Sequence, residues 1–93
     1  MDFEFNPEKS AANLEKHGLS LEAAKQLWTV PAVEVEARTV DERRFLRIAK
    51  VNEKFYSCVF TVRSDAIRLI SARRSRPDEE QLYREKIENE KAK

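Results

Sequence analysis

An α+β fold is what this sequence predicts: two N-terminal helices packed on one face of a mainly antiparallel sheet of four to five strands, with a further helix at the C-terminus. Three observations point there. The first third of the chain carries helix-starting and helix-ending residues in the right order. The middle holds four strand-like segments joined by very short connectors. The last segment opens on Pro77 followed by Asp78, Glu79 and Glu80.

Taken in order, "DFEF" alternates, with Phe3 and Phe5 on one side, and reads as a short first strand. In "NPEKSAANLEKHG", Asn6 can cap a helix, Pro7 suits its first position and Glu8 favours the positive end of its dipole. Gly18, the sole glycine, can close that helix in the left-handed conformation, with Leu14 and the alanines as its inner face. Ser20 can cap a second helix, "LEAAKQLW", which places Leu21, Ala24, Leu27 and Trp28 at helical spacing before Pro31 ends it.

The four strands that follow are "VEVEA" (33–37), "RFLRIAKV" (44–51), "FYSCVFTV" (55–62) and "AIRLISA" (66–72). In the second, Leu46 and Ile48 share one side and Phe45 and Arg47 the other. In the third, Tyr56, Cys58, Phe60 and Val62 oppose Ser57 and Thr61. Connectors as short as "NEK" and "RSD" imply hairpins and an antiparallel meander. The second sheet face is then left to arginine and small polar residues. The last helix offers chiefly Leu82, Tyr83 and Ile87, too few apolar groups for deep burial within the chain, which suggests docking on a partner.

At 93 residues the chain makes one domain, 1–93, with a modest core. No stretch approaches the length of a membrane span, and "MDFEFNPEK" lacks the basic start and apolar run of a signal peptide, so a cytoplasmic protein without membrane contact is expected. Cys58 is the only cysteine, which rules out an internal disulfide, and it reads as buried and inert. The formal net charge of +1 hides three blocks. Residues 1–37 hold 3 Lys/Arg against 7 Asp/Glu, residues 38–76 hold 11 against 4, and residues 77–93 hold 4 against 6. The middle block would attract a polyanion, while its acidic flanks argue against indiscriminate coating of DNA.

The residue types narrow the chemistry further. Metal catalysis finds no ligand cluster, the single glycine, Gly18, cannot make a phosphate-binding glycine loop or a nucleophile elbow, and no cofactor is called for. What remains is a group of arginines with Lys16, His17 and scattered carboxylates. That set suits phosphodiester chemistry. Cleavage of RNA through its 2′-hydroxyl needs a base, cations around the crowded phosphorus and an acid for the departing 5′-oxygen. Guanidinium grips phosphate oxygens in a planar fork and stays charged throughout.

Two stretches, "FEFNPEKSAANLEKHGLSLEAA" and "TVRSDAIRLISARRSRPDEEQLY", resemble the BrnT family. The most specific runs are "NLEKHGLS" at Asn13 to Ser20 and "IRLISARR" at Ile67 to Arg74. The resemblance implies a RelE-like fold and a type II toxin that cleaves mRNA without a metal. It also implies neutralisation by a cognate, BrnA-like antitoxin in a hetero-oligomer, with DNA contacted only through that antitoxin. Carried over by motif, Lys16 and His17 match the family's "KHG", Arg44 falls in its arginine-rich strand start, and Arg68, Arg73 and Arg74 match its final strand. The chain departs from the family's Phe-x-Trp-Asp-Pro opening, keeping an aromatic residue and a helix cap. It also lacks glycines around "AKVNEKFY", which leaves the placement of Arg47 and Lys54 open.

Arg68, Arg73, Arg74 and His17 are thus the expected catalytic residues, with Lys16, Arg44 and Arg47 binding substrate. Each also has a plainer reading. Arg68 could pair with Glu42 or Asp65; His17 could simply cap the helix end; Glu42 and Asp41 could supply a base or be merely solvated; Arg76 reads as a solvated or antitoxin-facing charge. Simple alternation along the strand puts Arg74 with Arg68 and Arg73 with Leu69, whereas a strand ending near Ala72 would free both arginines. Two rival functions remain open. The same basic sheet could be a non-catalytic nucleic-acid or protein-binding module, or its arginines could serve only to bind the antitoxin.

Overall fold

The computed structural model describes residues 2–37 and 42–89, so Asp41 lies outside the described residues. Along the chain run β1 (Asp2–Glu4), α1 (Pro7–His17), α2 (Leu21–Ala24) with a 3-10 continuation (Lys25–Trp28), β2 (Ala32–Ala37), β3 (Arg44–Val51), β4 (Lys54–Arg63), β5 (Ala66–Arg74) and α3 (Pro77–Tyr83) with a π-helical extension (Arg84–Glu88). The five strands form one sheet in the order β1-β5-β4-β3-β2.

Strands β2 to β5 make the expected antiparallel meander. β1 instead lies parallel to β5, pairing Phe3 with Ile67 and Glu4 with Arg68. No hairpin joins these two strands, so nothing in the connection forces them antiparallel, and the sheet is mixed. The hairpin turns are tight. Asn52 and Glu53 both adopt positive φ (52° and 65°), which suits a two-residue turn between right-twisted strands, and Ser64 does likewise at 51°.

Helix α1 forms as its punctuation dictates. The Asn6 side chain accepts from the amides of Glu8 (2.8 Å) and Lys9 (3.4 Å), Pro7 occupies the first turn, and Gly18 closes the helix at φ 75°. Its inner face, however, is polar. Leu14 is 52% exposed, while Ser10 and Asn13 are buried. The Ser10 hydroxyl accepts from the Leu21 amide at 3.0 Å. Asn13 donates to the carbonyls of Leu19 (2.6 Å) and Ala72 (2.7 Å) and accepts from the Ala72 amide (3.2 Å). A side-chain amide thereby pairs with a β5 residue beyond the reach of three-residue β1, replacing a missing strand partner.

Two apolar layers flank the sheet. On one side Leu21, Ala24 and Leu27 of the second helical segment meet Ala49, Cys58, Phe60, Ile67, Leu69 and Ala72. Trp28 adds edge-to-face contacts with Phe3 (5.3 Å) and Phe60 (5.1 Å). On the other side Tyr83 packs on Ile48 and Phe55, surrounded by Val33, Leu46, Leu82 and Ile87. Helices therefore cover both faces, and α3 docks on its own sheet, with Tyr83 only 5% exposed. The apolar count of this helix misled because a polar clamp supplements it. Arg73 grips Glu79 in a bidentate pair (2.8 and 2.9 Å), and Glu79 also accepts from the Ser57 hydroxyl (2.9 Å) and the Arg76 amide (2.9 Å).

Strand β5 does not stop near Ala72 but runs to Arg74, and its register slips once. Phe60 pairs with Leu69 and Val59 with Ser71, leaving Ile70 without a partner on β4. This bulge reverses the alternation for the rest of the strand. Arg73, opposite Ser57, joins Arg68 on the α3 side; Arg74, opposite Tyr56, joins Leu69 and Ala72 on the α1 and α2 side.

Candidate active site

The arginines expected to act together are divided between the two faces of the sheet. Arg44, Arg68 and Arg73 lie on the α3 side, and each meets a carboxylate. Arg44 pairs with Glu42 at 3.2 Å, Arg68 with Glu4 at 3.6 Å and Arg73 with Glu79 at 2.8 Å. The Arg68 partner is thus the neighbour that parallel β1 supplies, rather than Glu42 or Asp65.

The Arg73 pair is the tightest of the three. Burial pushes the Glu79 carboxyl up, but the hydrogen bonds from Arg73, the Arg76 amide and Ser57, together with the Arg73 charge, outweigh it and hold the group at about 2. Ser57 also shares a 2.7 Å hydrogen bond with Ser75. Arg73 thus fastens α3 to the end of β5 through Glu79.

Arg47 and Arg74 lie on the opposite face. Arg47 is spoken for. Its Nε donates to the Leu27 carbonyl (2.8 Å), its Nη2 to the Val30 carbonyl (3.3 Å), and its Nη1 meets Glu34 at 2.6 Å. The guanidinium also covers the Trp28 ring at 5.1 Å, pinning the 3-10 segment to β3. This placement explains Arg47 as a structural cation. Beneath the sheet's centre, the buried Cys58 thiol is pushed up to about 12 by desolvation, against the lowering influence of the Arg47 charge, and is a poor nucleophile.

Arg74 differs from all of these. It is exposed, and among the described residues it has no carboxylate partner. Its guanidinium lies over the ring of its cross-strand neighbour Tyr56, 5.5 Å from the centroid, and its Nε donates to the Phe55 carbonyl at 3.3 Å. One nitrogen and one ring thus orient the group while its two terminal nitrogens make no hydrogen bond to a described residue. An oriented fork with two free donors is what a phosphate oxygen pair requires.

Tyr56 also forms one wall of a cleft of about 210 Å³, bounded by Leu19, Ala23, Ala24, Gln26, Leu27, Val51 and Asn52. Leu19 ties this cleft to the end of α1, because Lys16 and His17 stand in the last helical turn just before it. Both are exposed, and neither side chain makes a hydrogen bond or ion pair with a described residue. Lys16 and His17 thus precede the cleft residue Leu19 in the chain, while Arg74 lies over Tyr56, which lines the same cleft. Tyr56 is the residue that links Arg74 to the cleft. Its signal was hidden by the bulge, since a straight count from the Ser64 turn pairs Tyr56 with Arg73 instead.

The structure is thus a small mixed-sheet protein with an oriented guanidinium, unpaired among the described residues, beside a cleft that Tyr56 lines. Residues 5–79 match the model of the ribonuclease toxin BrnT of type II toxin–antitoxin systems. The match spans most of the chain, and the chain belongs to this family. It is a ribonuclease toxin, and a type II toxin has a cognate antitoxin. No curated protein matches the chain. Among the described residues, no group of three or more His, Cys, Asp or Glu side chains is placed to hold a metal ion, and no helix is long and apolar enough to cross a membrane.

Proposed function

We propose that residues 1–93 act as a single toxin domain that cleaves mRNA without a metal, with Arg74 as the principal cation at the scissile phosphate. The free terminal nitrogens of Arg74, oriented by Tyr56 and the Phe55 carbonyl, are the observation that carries this reading. In the reaction the 2′-oxygen forms a bond to phosphorus as the bond to the 5′-oxygen breaks. A base takes the 2′-hydroxyl proton, and an acid gives one to the leaving 5′-oxygen. The products end in a 2′,3′-cyclic phosphate and a 5′-hydroxyl. Charge accumulates on the non-bridging oxygens, where a fixed guanidinium lowers the barrier.

His17, exposed in the last turn of α1 shortly before the cleft residue Leu19, is the group for proton transfer, and Lys16 beside it holds a neighbouring phosphate. Arg73 is a positioning residue, fixing the end of β5 through Glu79. Arg44 and Arg68 broaden the basic surface on the other face without reaching the same phosphate. The partner we infer is a small DNA-binding antitoxin of the BrnA kind. It would lay acidic residues over Arg74 in a hetero-oligomer, and DNA would be touched only by that complex.

The test is incubation of the purified protein with end-labelled RNA in excess EDTA. Fragments ending in cyclic phosphate are expected, together with resistance of an RNA carrying a 2′-deoxy nucleotide at the cut. RNA left intact by excess protein, or cleavage through the 2′-deoxy position, contradicts the mechanism. Binding without cleavage would return the chain to the non-catalytic alternative.

A further inference from the structure

We propose that the cleft beside Tyr56 is a nucleobase subsite. The base of the nucleotide adjoining the cleaved phosphate enters it, stacks on the Tyr56 ring and is read by the side-chain amides of Gln26 and Asn52. This rests on the reading of Arg74 as the phosphate-gripping group, and it adds where the enzyme takes its sequence preference from.

Position is the first argument. Arg74 and Tyr56 are directly opposed on β5 and β4, and the guanidinium lies 5.5 Å from the ring centroid. A phosphate held by the free nitrogens of Arg74 therefore has its own nucleotide within reach of the ring, and the cleft opens on that same ring. Stacking on an aromatic face is the common way proteins hold a base splayed out of a single strand.

The lining is the second. Among the described residues no charged side chain lines the cleft; Leu19, Ala23, Ala24, Leu27 and Val51 stand beside Gln26, Asn52 and Tyr56, and the exposed lining is more polar than apolar. An uncharged lining of mixed polarity does not suit a phosphate and does suit a base, whose faces are apolar and whose edges carry donors and acceptors. At about 210 Å³ the cleft is smaller than most drug-sized sites, in keeping with a single ring system.

The two amides are the third. Gln26 and Asn52 are the other polar members of the lining, both are exposed, and neither side chain hydrogen-bonds to a described residue. Each offers a donor and an acceptor side by side, the pairing that reads a base edge. Asn52 is held at φ 52° in the β3–β4 turn, a conformation asparagine tolerates better than most residues, so the turn gains nothing obvious from a larger side chain there.

The experiment is cleavage of a randomised RNA pool by the full chain, with the new ends sequenced. Wild type is expected to favour one base at a fixed position beside the cut. A Gln26→Ala, Asn52→Gly double variant, altered only at exposed positions and with a glycine that suits the positive φ of residue 52, is expected to keep cutting but to lose about ten-fold of that discrimination. Tyr56→Phe should retain the preference, and Tyr56→Ala should cut the preferred sites about ten-fold more slowly. A double variant with an unchanged base profile overturns the subsite even if Arg74 proves essential. A wild-type profile showing no preference at any position beside the cut overturns it too. Full cleavage by Arg74→Ala, in contrast, would bring down the underlying site.

Discussion

Arg68 and Arg74 stand on one strand and face opposite sides of the sheet, because Ile70 between them has no partner on β4. One extra residue therefore decides which guanidinium meets the cleft. Without it, Arg73 would lie opposite Tyr56 and Arg74 would turn toward α3. With it, Arg73 reaches Glu79 and Arg74 is left free beside the ring. The adjacent arginines thus differ: one holds α3 to the sheet, and the other has no carboxylate partner among the described residues.

The Arg73–Glu79 pair gives a stability prediction with a pH dependence. Glu79→Gln leaves Arg73, 22% exposed at its side chain, without its counter-charge. The expected loss is about 2 kcal/mol, less than for a fully buried pair because Arg73 keeps some contact with water. Folding lowers the Glu79 carboxyl from its ordinary 4.5 to about 2, so its contribution is complete above the ordinary value and is lost as pH falls toward the lowered one. Denaturant titrations across that acid range should show wild type losing stability while Glu79→Gln loses less. Equal slopes would contradict the role given to Glu79.

Asn13 supplies a second case, where a polar side chain holds a helix to a sheet edge. Asn13→Ala would strip the Ala72 amide and carbonyl and the Leu19 carbonyl of their partner. Unsatisfied groups at this buried position should cost about 2–3 kcal/mol, read as a lower unfolding midpoint at unchanged denaturant slope. Asn13→Leu, although more apolar, should lose as much or more.

Much of this architecture was legible in the sequence, and the failures have identifiable causes. Asn6, Pro7 and Gly18 fixed α1 because capping is local chemistry. The strands from 33 onward followed from alternation and from turns too short for anything but hairpins. What alternation could not reveal was a single unpaired residue, Ile70, since a bulge leaves no mark in the pattern of apolar side chains. The parallel pairing of β1 was likewise invisible, being set by packing rather than by a turn. Deep docking of α3 was missed because its attachment combines Tyr83 with the Glu79 clamp, and a carboxylate in a helix's first turn ordinarily reads as solvated. At the site, Arg74 lies on the α1 and α2 side of the sheet, while Arg44, Arg68 and Arg73 stand on the other face.

The β3–β4 turn carries a cost that is easily tested. Glu53 adopts φ 65°, a conformation in which its Cβ is strained, and its ion pair with Lys50 is exposed and weak. Glu53→Gly should stabilise the protein by about 0.5–1 kcal/mol, the relief of strain outweighing the greater freedom of glycine when unfolded. A lower melting temperature for Glu53→Gly would show that this turn is not strained.

The most direct measurement compares single-turnover RNA cleavage by Arg74→Ala and Arg68→Ala, with thermal melting of both variants as a check on folding. Loss of the Arg74 guanidinium, oriented by Tyr56 and without a carboxylate partner among the described residues, should slow cleavage by about 100-fold or more, whereas loss of Arg68 on the far face should change it less than about ten-fold. Melting of Arg74→Ala should stay close to wild type, since its side chain is exposed. Equal cleavage by Arg74→Ala and wild type, or a far larger defect in a well-folded Arg68→Ala, would place the reacting phosphate on the other side of the sheet.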